Sequence, residues 1–286
     1  MVTGIINIDK SEGMNSTKVV SSIKRLTHVP GCGHMGTLDP MASGVLPVAV
    51  GNATRLFDFF LAKRKTYVAE FAFGLSSDTL DTTGCVEERG SIPSAEEIEA
   101  ALPQFTGDIE QIPPRYSAKR VNGRRGYDLA REGLEFDLKP AKVTVYSYKM
   151  LGPGPSDAGR FRFEIECGGG TYIRSLARDL GEALGTSAIM SALRRTKSGP
   201  FTLENAVKLE ELTEHNIEEY IIPAQDLLEM EDVHVEGRRQ QQLLCGVRVD
   251  AAGMEDGLYK LFLEDGTFYG LCEVSNHGMK VAKKIC

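Results

Sequence analysis

The chain has 286 residues, is 42% hydrophobic and carries a formal net charge of -7 at pH 7. That length supports a sizeable core with room for a second small domain, and no run of about 20 apolar residues is present to span a membrane. The opening residues, MVTGIINIDKSEG, lack the basic end and apolar run of a secretory leader, so a cytoplasmic protein is expected.

In chain order, GIINIDK reads as a short buried strand. Asn15 or Ser16 can cap a helix whose apolar residues Val19, Val20, Ile23 and Leu26 recur at helical spacing, and that helix should end before Pro30. After the loop that follows come VLPVAVG and a predicted helix through NATRLFDFFLAK. TYVAEFAFG alternates, with Tyr67, Ala69, Phe71 and Phe73 on one face of a strand. Ser94 and Glu97 form a capping box just after Pro93. KVTVYSYKML is a strand, and GPGPSDAG is a turn-rich connection. In FRFEIEC, Phe161, Phe163, Ile165 and Cys167 point inward. Gly168-Gly169-Gly170 breaks that strand, and TYIRSLARDLGEALG follows as a helix with Ile173, Leu176, Ala177 and Leu180 as its core stripe. Arg174 and Arg178 then lie one turn apart on another face.

Near residue 230 the character changes. EGRRQQQLLCG suggests a short helix, and YKLFLEDGTFYGLCEV places two apolar strands around Asp265-Gly266, a hairpin signal. Upstream, strands and helices do not alternate regularly. The expectation is therefore an α+β domain over residues 1–229, with a mixed, largely antiparallel central sheet flanked by helices, and a small β-rich domain over residues 230–286.

The six cysteines (Cys32, Cys85, Cys167, Cys245, Cys272 and Cys286) contain no C-x-x-C pair, and the five histidines contain no H-x-x-x-H pair. No metal centre is expected. The acidic balance, taken alone, argues against a nucleic-acid partner. It hides four acid-free basic clusters: Arg115, Lys119, Arg120, Arg124 and Arg125; Lys63-Arg64-Lys65; Arg194, Arg195 and Lys197; and Lys280, Lys283 and Lys284. They suggest a basic working face and an acidic back, able to hold phosphates.

The segment GCGHMGTLDPMASG contains a G-x-G-x-x-G pattern from Gly31 to Gly36. A dinucleotide loop would follow a strand and open a helix. Here it follows the helical STKVVSSIKRL, and Pro40 disfavours helix at Asp39. No Gly-Lys-Ser/Thr follows either, so no nucleotide cofactor is expected. Asp39 has two readings. Pro40 holds it extended within a glycine-rich loop, as suits a working carboxylate, or Leu-Asp-Pro simply makes a turn with Asp39 bonding its own backbone. Spacing alone favours the turn.

GHMGTLDPMASGVLPVAVGNATRL closely resembles the signature of TruB-type tRNA pseudouridine-55 synthases. INIDKSEGMNS, KTYVAEFAFGLSSDTLDTTG, GDIEQIPPRYSAKRVNGRRGYDLAREG, GGGTYIRSLARDLGEALG and ALRRTKSGPF extend the resemblance over most of the chain. The tail from about residue 230 resembles a reduced PUA-type RNA-binding domain. The resemblance implies the pseudouridine synthase fold and isomerisation of uridine 55 in the T-loop of tRNA, with no cofactor and no metal. It implies a tRNA partner, no obligate protein partner, a monomer, and an added tRNA-folding role. By the same resemblance Asp39 is the nucleophile acting on a flipped-out uridine. Tyr67 stacks on the base and is a candidate base for proton removal, and Arg174 pairs with Asp39. Tyr172 and Leu193 line the uracil pocket, His34 contacts RNA beside the flipped nucleotide, and Lys10 supports the N-terminal strand near the site.

Overall fold

The computed structural model describes residues 3–117, 119–121, 123–155 and 159–286. Strand β1 (Gly4–Lys10) leads into helix α1 (Ser16–Thr27), which buries Val19 and Ile23. Of the two candidate caps, Asn15 serves: its side chain accepts the Thr17 N–H. The helix stops at His28, in the left-handed region at φ 54, ahead of Pro30. Strands β2 (Cys32–His34) and β3 (Ser43–Val50) bracket the Asp39 loop. The helix expected through NATRLFDFFLAK is broken into a 3-10 segment, Gly51–Leu56, and a short α2 (Phe57–Leu61). Neither has a side-chain cap, and Asn and Thr at its start favour helix weakly.

Strand β4 (Lys65–Phe73) is followed by the ribbon β5 (Leu75–Ser77) and β6 (Val86–Glu88). Next comes α3 (Ala95–Ala101), whose Ser94/Glu97 capping box forms as expected. The chain continues through β7 (Gly107–Gln111), the short ribbon β8 (Arg120–Val121) and β9 (Arg124–Arg125), α4 (Gly126–Arg131), β10 (Ala141–Pro153) and β11 (Arg160–Cys167). Then follow α5 (Ile173–Ala183), β12 (Ala188–Ser198), β13 (Phe201–Thr202) and β14 (Val207–Lys208). The turn expected in GPGPSDAG falls partly on residues 156–158, and the side chains of Arg120 and Arg125 belong to the same group; all lie outside the described residues.

These strands form one mixed sheet in the order β14-β1-β3-β12-β4-β11-β10-β7, with β2 on β3 and β13 on β12. Two pairings, β1 with β14 and β3 with β12, are parallel; the others are antiparallel. The largely antiparallel α+β expectation therefore holds. Strand β12 is the element that the pattern does not announce. Its basic run, Arg194 to Lys197, reads as surface, yet it lies between β3 and β4 at the middle of the sheet.

One core packs α1, α3 and α5 on the sheet and includes Leu38, Tyr67, Ile173 and Leu193. A second gathers Ile5, Met35, Val45, Phe60 and Phe201 with Leu271 and Ile285 of the C-terminal region. That region comprises β15 (Asp232–His234), α6 (Gly237–Leu244), β16 (Val249–Asp250), β17 (Gly257–Phe262), β18 (Phe268–Ser275) and β19 (Gly278–Lys284). Its five strands form a separate sheet, β15-β17-β18-β19-β16, with the expected hairpin at Asp265-Gly266 between β17 and β18. No helix of the described residues is long and apolar enough to cross a membrane.

Candidate active site

The loop between β2 and β3 presents Asp39, and its shape follows from local chemistry. The Asp39 carbonyl accepts the Ala42 N–H at 3.0 Å, so Asp39-Pro40-Met41-Ala42 is a tight turn with proline at its second position. The carboxylate is not spent on that turn. It points to Arg174, with Asp39 Oδ2 3.0 Å from Nη2. Of the turn reading the backbone turn is present, but the Asp39 carboxylate faces Arg174 instead of bonding its own backbone.

The loop is anchored from three sides. Ser16 Oγ donates to the Leu38 carbonyl at 2.7 Å and accepts the Leu38 N–H at 3.1 Å. The Pro40 carbonyl accepts the Gly13 N–H at 2.8 Å and Lys10 Nζ at 3.3 Å. Lys10 is fully buried and also donates to the Met14 and Ser11 carbonyls, at 2.7 and 3.1 Å. Burial lowers its pKa to about 8, while Asp39 and Glu12 pull it upward. From below, Arg195 donates to the carbonyls of Gly36, Thr37 and Val45.

Arg174 comes from the first turn of α5 and is only 7% exposed, although helical spacing sets it off the apolar stripe. What buries it is the excursion from β5 to β6. Its Nη1 donates to the Thr79 carbonyl at 3.0 Å and lies 3.4 Å from Asp81 Oδ2, and its Nη2 also donates to the Tyr116 carbonyl at 3.0 Å. Asp81 is itself fixed: Oδ1 accepts from Thr79 Oγ1, the Thr83 N–H and Thr83 Oγ1 at 2.7, 2.9 and 2.5 Å. One guanidinium thus spans two carboxylates while two carbonyls hold its plane. Burial pushes the Asp39 carboxyl above its ordinary value; Arg174 opposes this most strongly, Asp81 adds to it, and Lys10 opposes it weakly. Arg174 therefore offsets burial in sign, but burial is the larger effect.

Tyr67 and Leu193 lie on neighbouring strands, 7% and 8% exposed, and belong to the core that includes Leu38. Tyr67 stands across from Arg195 in the β4–β12 register, and Leu193 across from Ala69. Burial raises the Tyr67 phenol, with Arg195 opposing, so at pH 7 it is a neutral hydroxyl. That works against a base role and favours an aromatic face. Tyr172 precedes α5, and the Gln111 amide grips both its backbone groups, accepting the N–H at 2.8 Å and donating to the carbonyl at 3.1 Å. Burial raises the Tyr172 phenol too, with Arg174 among the groups that oppose it. His34 ends β2, opposite Val48. Burial, reinforced by Arg195, lowers its pKa, so its imidazole is neutral at pH 7, and among the described residues its buried Nδ1 has no partner.

Asp39, Arg174 and Lys10 thus meet at the loop, Tyr67 and His34 border Arg195 beneath it, Tyr172 lies beside Arg174, and Leu193 belongs to the core under Leu38 without a direct contact to Asp39. Sequence reasoning missed Asp81, Gln111, Arg195 and Lys65. Asp81 carried a signal, since an acid between Thr79 and Thr83 can bond both hydroxyls locally. Arg194 and Arg195 carried another: successive residues of a strand face opposite ways, so one had to point inward. One member of each of two basic clusters is accordingly interior, while Arg64, Arg194 and Lys197 keep to the surface. Lys65 is buried on the Leu61 and Lys63 carbonyls, its pKa lowered by burial to about 8. Arg195 is buried, and Arg194 pairs with Asp9 at 2.9 Å.

Residues 24–173 match the model of the TruB family pseudouridylate synthase N-terminal domain, and residues 174–233 match that of the tRNA pseudouridylate synthase B C-terminal domain. The chain is 38% identical to a tRNA pseudouridine synthase B of Clostridium tetani, covering 99% of both chains. It is 36% identical to that of Saccharophagus degradans, covering 99% of this chain and 96% of the relative. Among solved structures it resembles a chain of a Cbf5-Nop10-Gar1 complex, with a TM-score of 0.71 and 26% identity, covering 99% of this chain and 85% of that one.

Proposed function

The chain belongs to the TruB family of pseudouridylate synthases, and we propose that, in isomerising a tRNA uridine to pseudouridine, it acts on uridine 55 of the T-loop with Asp39 as nucleophile. The observation that carries this reading is the Asp39–Arg174 contact at 3.0 Å, inside a loop whose backbone is tied down on both sides of the acid. In the reaction the C1'–N1 bond breaks, the uracil turns, a C1'–C5 bond forms, and the C5 proton leaves as N1 regains one. No redox step, hydrolysis or energy source is required. A carboxylate can act covalently in this sequence, at the sugar C1' or the base C6. Arg174 opposes the protonation that burial favours at Asp39 and fixes the direction of the carboxylate.

The target base must leave its stack, at a cost of a few kcal/mol. Tyr67 and Tyr172 offer aromatic faces, and base stacking returns about 1–3 kcal/mol. Leu193 supplies an apolar wall, and neutral His34 contacts RNA beside the flipped nucleotide. Exposed basic residues, among them Arg115 and Lys119, meet phosphates. Residues 1–229 form the catalytic unit, and residues 230–286 a PUA-like unit that adds affinity. The protein works as a monomer with no obligate protein partner, in the cytoplasm.

The test is release of tritium from tRNA bearing 5-tritiated uridine. Asp39→Asn should abolish release while tRNA binding persists, and substantial turnover by that variant would remove Asp39 from the role. Turnover of a bare T-stem-loop without accessory proteins separates this reading from a guide-RNA-dependent enzyme. Refolding of tRNA by the Asp39→Asn protein measures a chaperone role separately.

A further inference from the structure

We infer that Arg195 is a positioning residue for this reaction: its guanidinium holds the chain on both sides of Asp39 to the strand that faces Tyr67. The inference rests on the reading of Asp39 as nucleophile. Arg195 heads the largest fully buried side chains, 1% exposed toward the C-terminal end of β12. Its Nε donates to the Val45 carbonyl at 2.7 Å, Nη2 to Gly36 at 3.1 Å and Nη1 to Thr37 at 3.5 Å. Gly36 and Thr37 precede Asp39 and Val45 follows it, so one planar group ties together the two feet of the loop. The backbone of the same residue stands in register with Gly44 of β3 on one side and Tyr67 of β4 on the other. Gly44 sits at φ 99, and a Cβ there would run into the Arg195 carbonyl, so only glycine lets the loop settle on this strand.

A buried cation ordinarily has a carboxylate partner. Among the described residues Arg195 makes no ion pair, and its donors go to carbonyls, with Tyr67, His34 and Lys65 as its polar and charged neighbours. For fold stability alone this is a poor use of an interior position, because apolar residues of similar volume often replace even buried ion pairs without loss. What an apolar residue cannot do is hold three divergent carbonyls in a fixed plane. Lysine, a point charge on a flexible stem, cannot reproduce the fork either.

The test uses the full-length Arg195→Lys and Arg195→Gln proteins, with single-turnover tritium release at saturating tRNA, the tRNA dissociation constant and the thermal midpoint measured on each. At a temperature well below each midpoint, Arg195→Lys should lose about 100-fold or more in single-turnover rate per folded molecule, as loop misplacement of about 1 Å can cause. Its tRNA affinity should stay within about threefold. A merely structural arginine would lower the midpoint and leave the rate per folded molecule near that of the parent, and that result overturns the inference. If neither variant folds, the Asp39→Asn protein decides, since it keeps Arg195. Hydrogen exchange at the Arg195 Nε–H, followed by NMR, should slow further when T-stem-loop RNA binds. Unchanged exchange overturns the inference.

Discussion

Replacing Arg174 by methionine removes the cation shared by Asp39 and Asp81 and the donors to the Thr79 and Tyr116 carbonyls. A neighbouring guanidinium depresses a carboxylate by about 1–3 units. The Asp39 side chain is 34% exposed, so solvent screening weakens that effect without removing it. Burial already raises Asp39, and loss of Arg174 raises it further. The pH–rate profile of single-turnover tritium release should therefore move its acid limb upward. The rate deficit should be largest at low pH and should narrow as pH rises. Asp81→Asn provides the opposing control: Asp81 pushes Asp39 upward, so its neutralisation should move the limb down. A deficit in Arg174→Met that is constant with pH would refute the electrostatic argument and leave Arg174 a purely geometric support.

Asp39→Asn should unfold at a midpoint equal to or above that of the parent at pH 7–8. A carboxyl raised in the folded state contributes stability below its unfolded pKa and loses it as pH rises through the folded value, so the difference should vanish toward acid pH, as differential scanning calorimetry will read. Lys10 titrates near 8 in the fold and at 10.5 when free, so the unfolded chain binds more protons between those values. Stability of the parent relative to Lys10→Met should therefore rise from pH 8 to 10.5, by on the order of 3 kcal/mol in urea titrations. Deletion of residues 230–286 removes Leu271 and Ile285 from a core shared with Phe60 and Phe201. Each such loss costs about 1.5–3 kcal/mol; a lower midpoint and weaker tRNA binding should accompany a chemical step that is still measurable in single turnover.

Local chemistry made much of the scaffold legible in the sequence. Asn15, Ser94 and Glu97 cap their helices through bonds to residues two or three positions away, and Asp265-Gly266 turns a hairpin by backbone preference alone. The alternation in FRFEIEC needed only the period of a strand. NATRLFDFFLAK failed because its apolar residues suggested a helix that its start cannot cap. The family blocks brought Asp39, Tyr67, Tyr172 and Arg174 together by resemblance, a link that no spacing along the chain supplies.

Charge was legible only as a count. A run of Lys and Arg looks the same whether it meets solvent or carbonyls, because pairing partners lie far away along the chain. Arg195 reaches a loop some 150 residues upstream, and Arg174 meets the Thr79 carbonyl across 95. By itself the sequence determined where the backbone turns at Asp39, since Pro40 and the following residues set that geometry locally. Whether the freed carboxylate faces water or an arginine was decided by the tertiary structure, because only the crossing of β12 between β3 and β4, and the docking of α5 over the excursion from β5 to β6, set the buried cations around it.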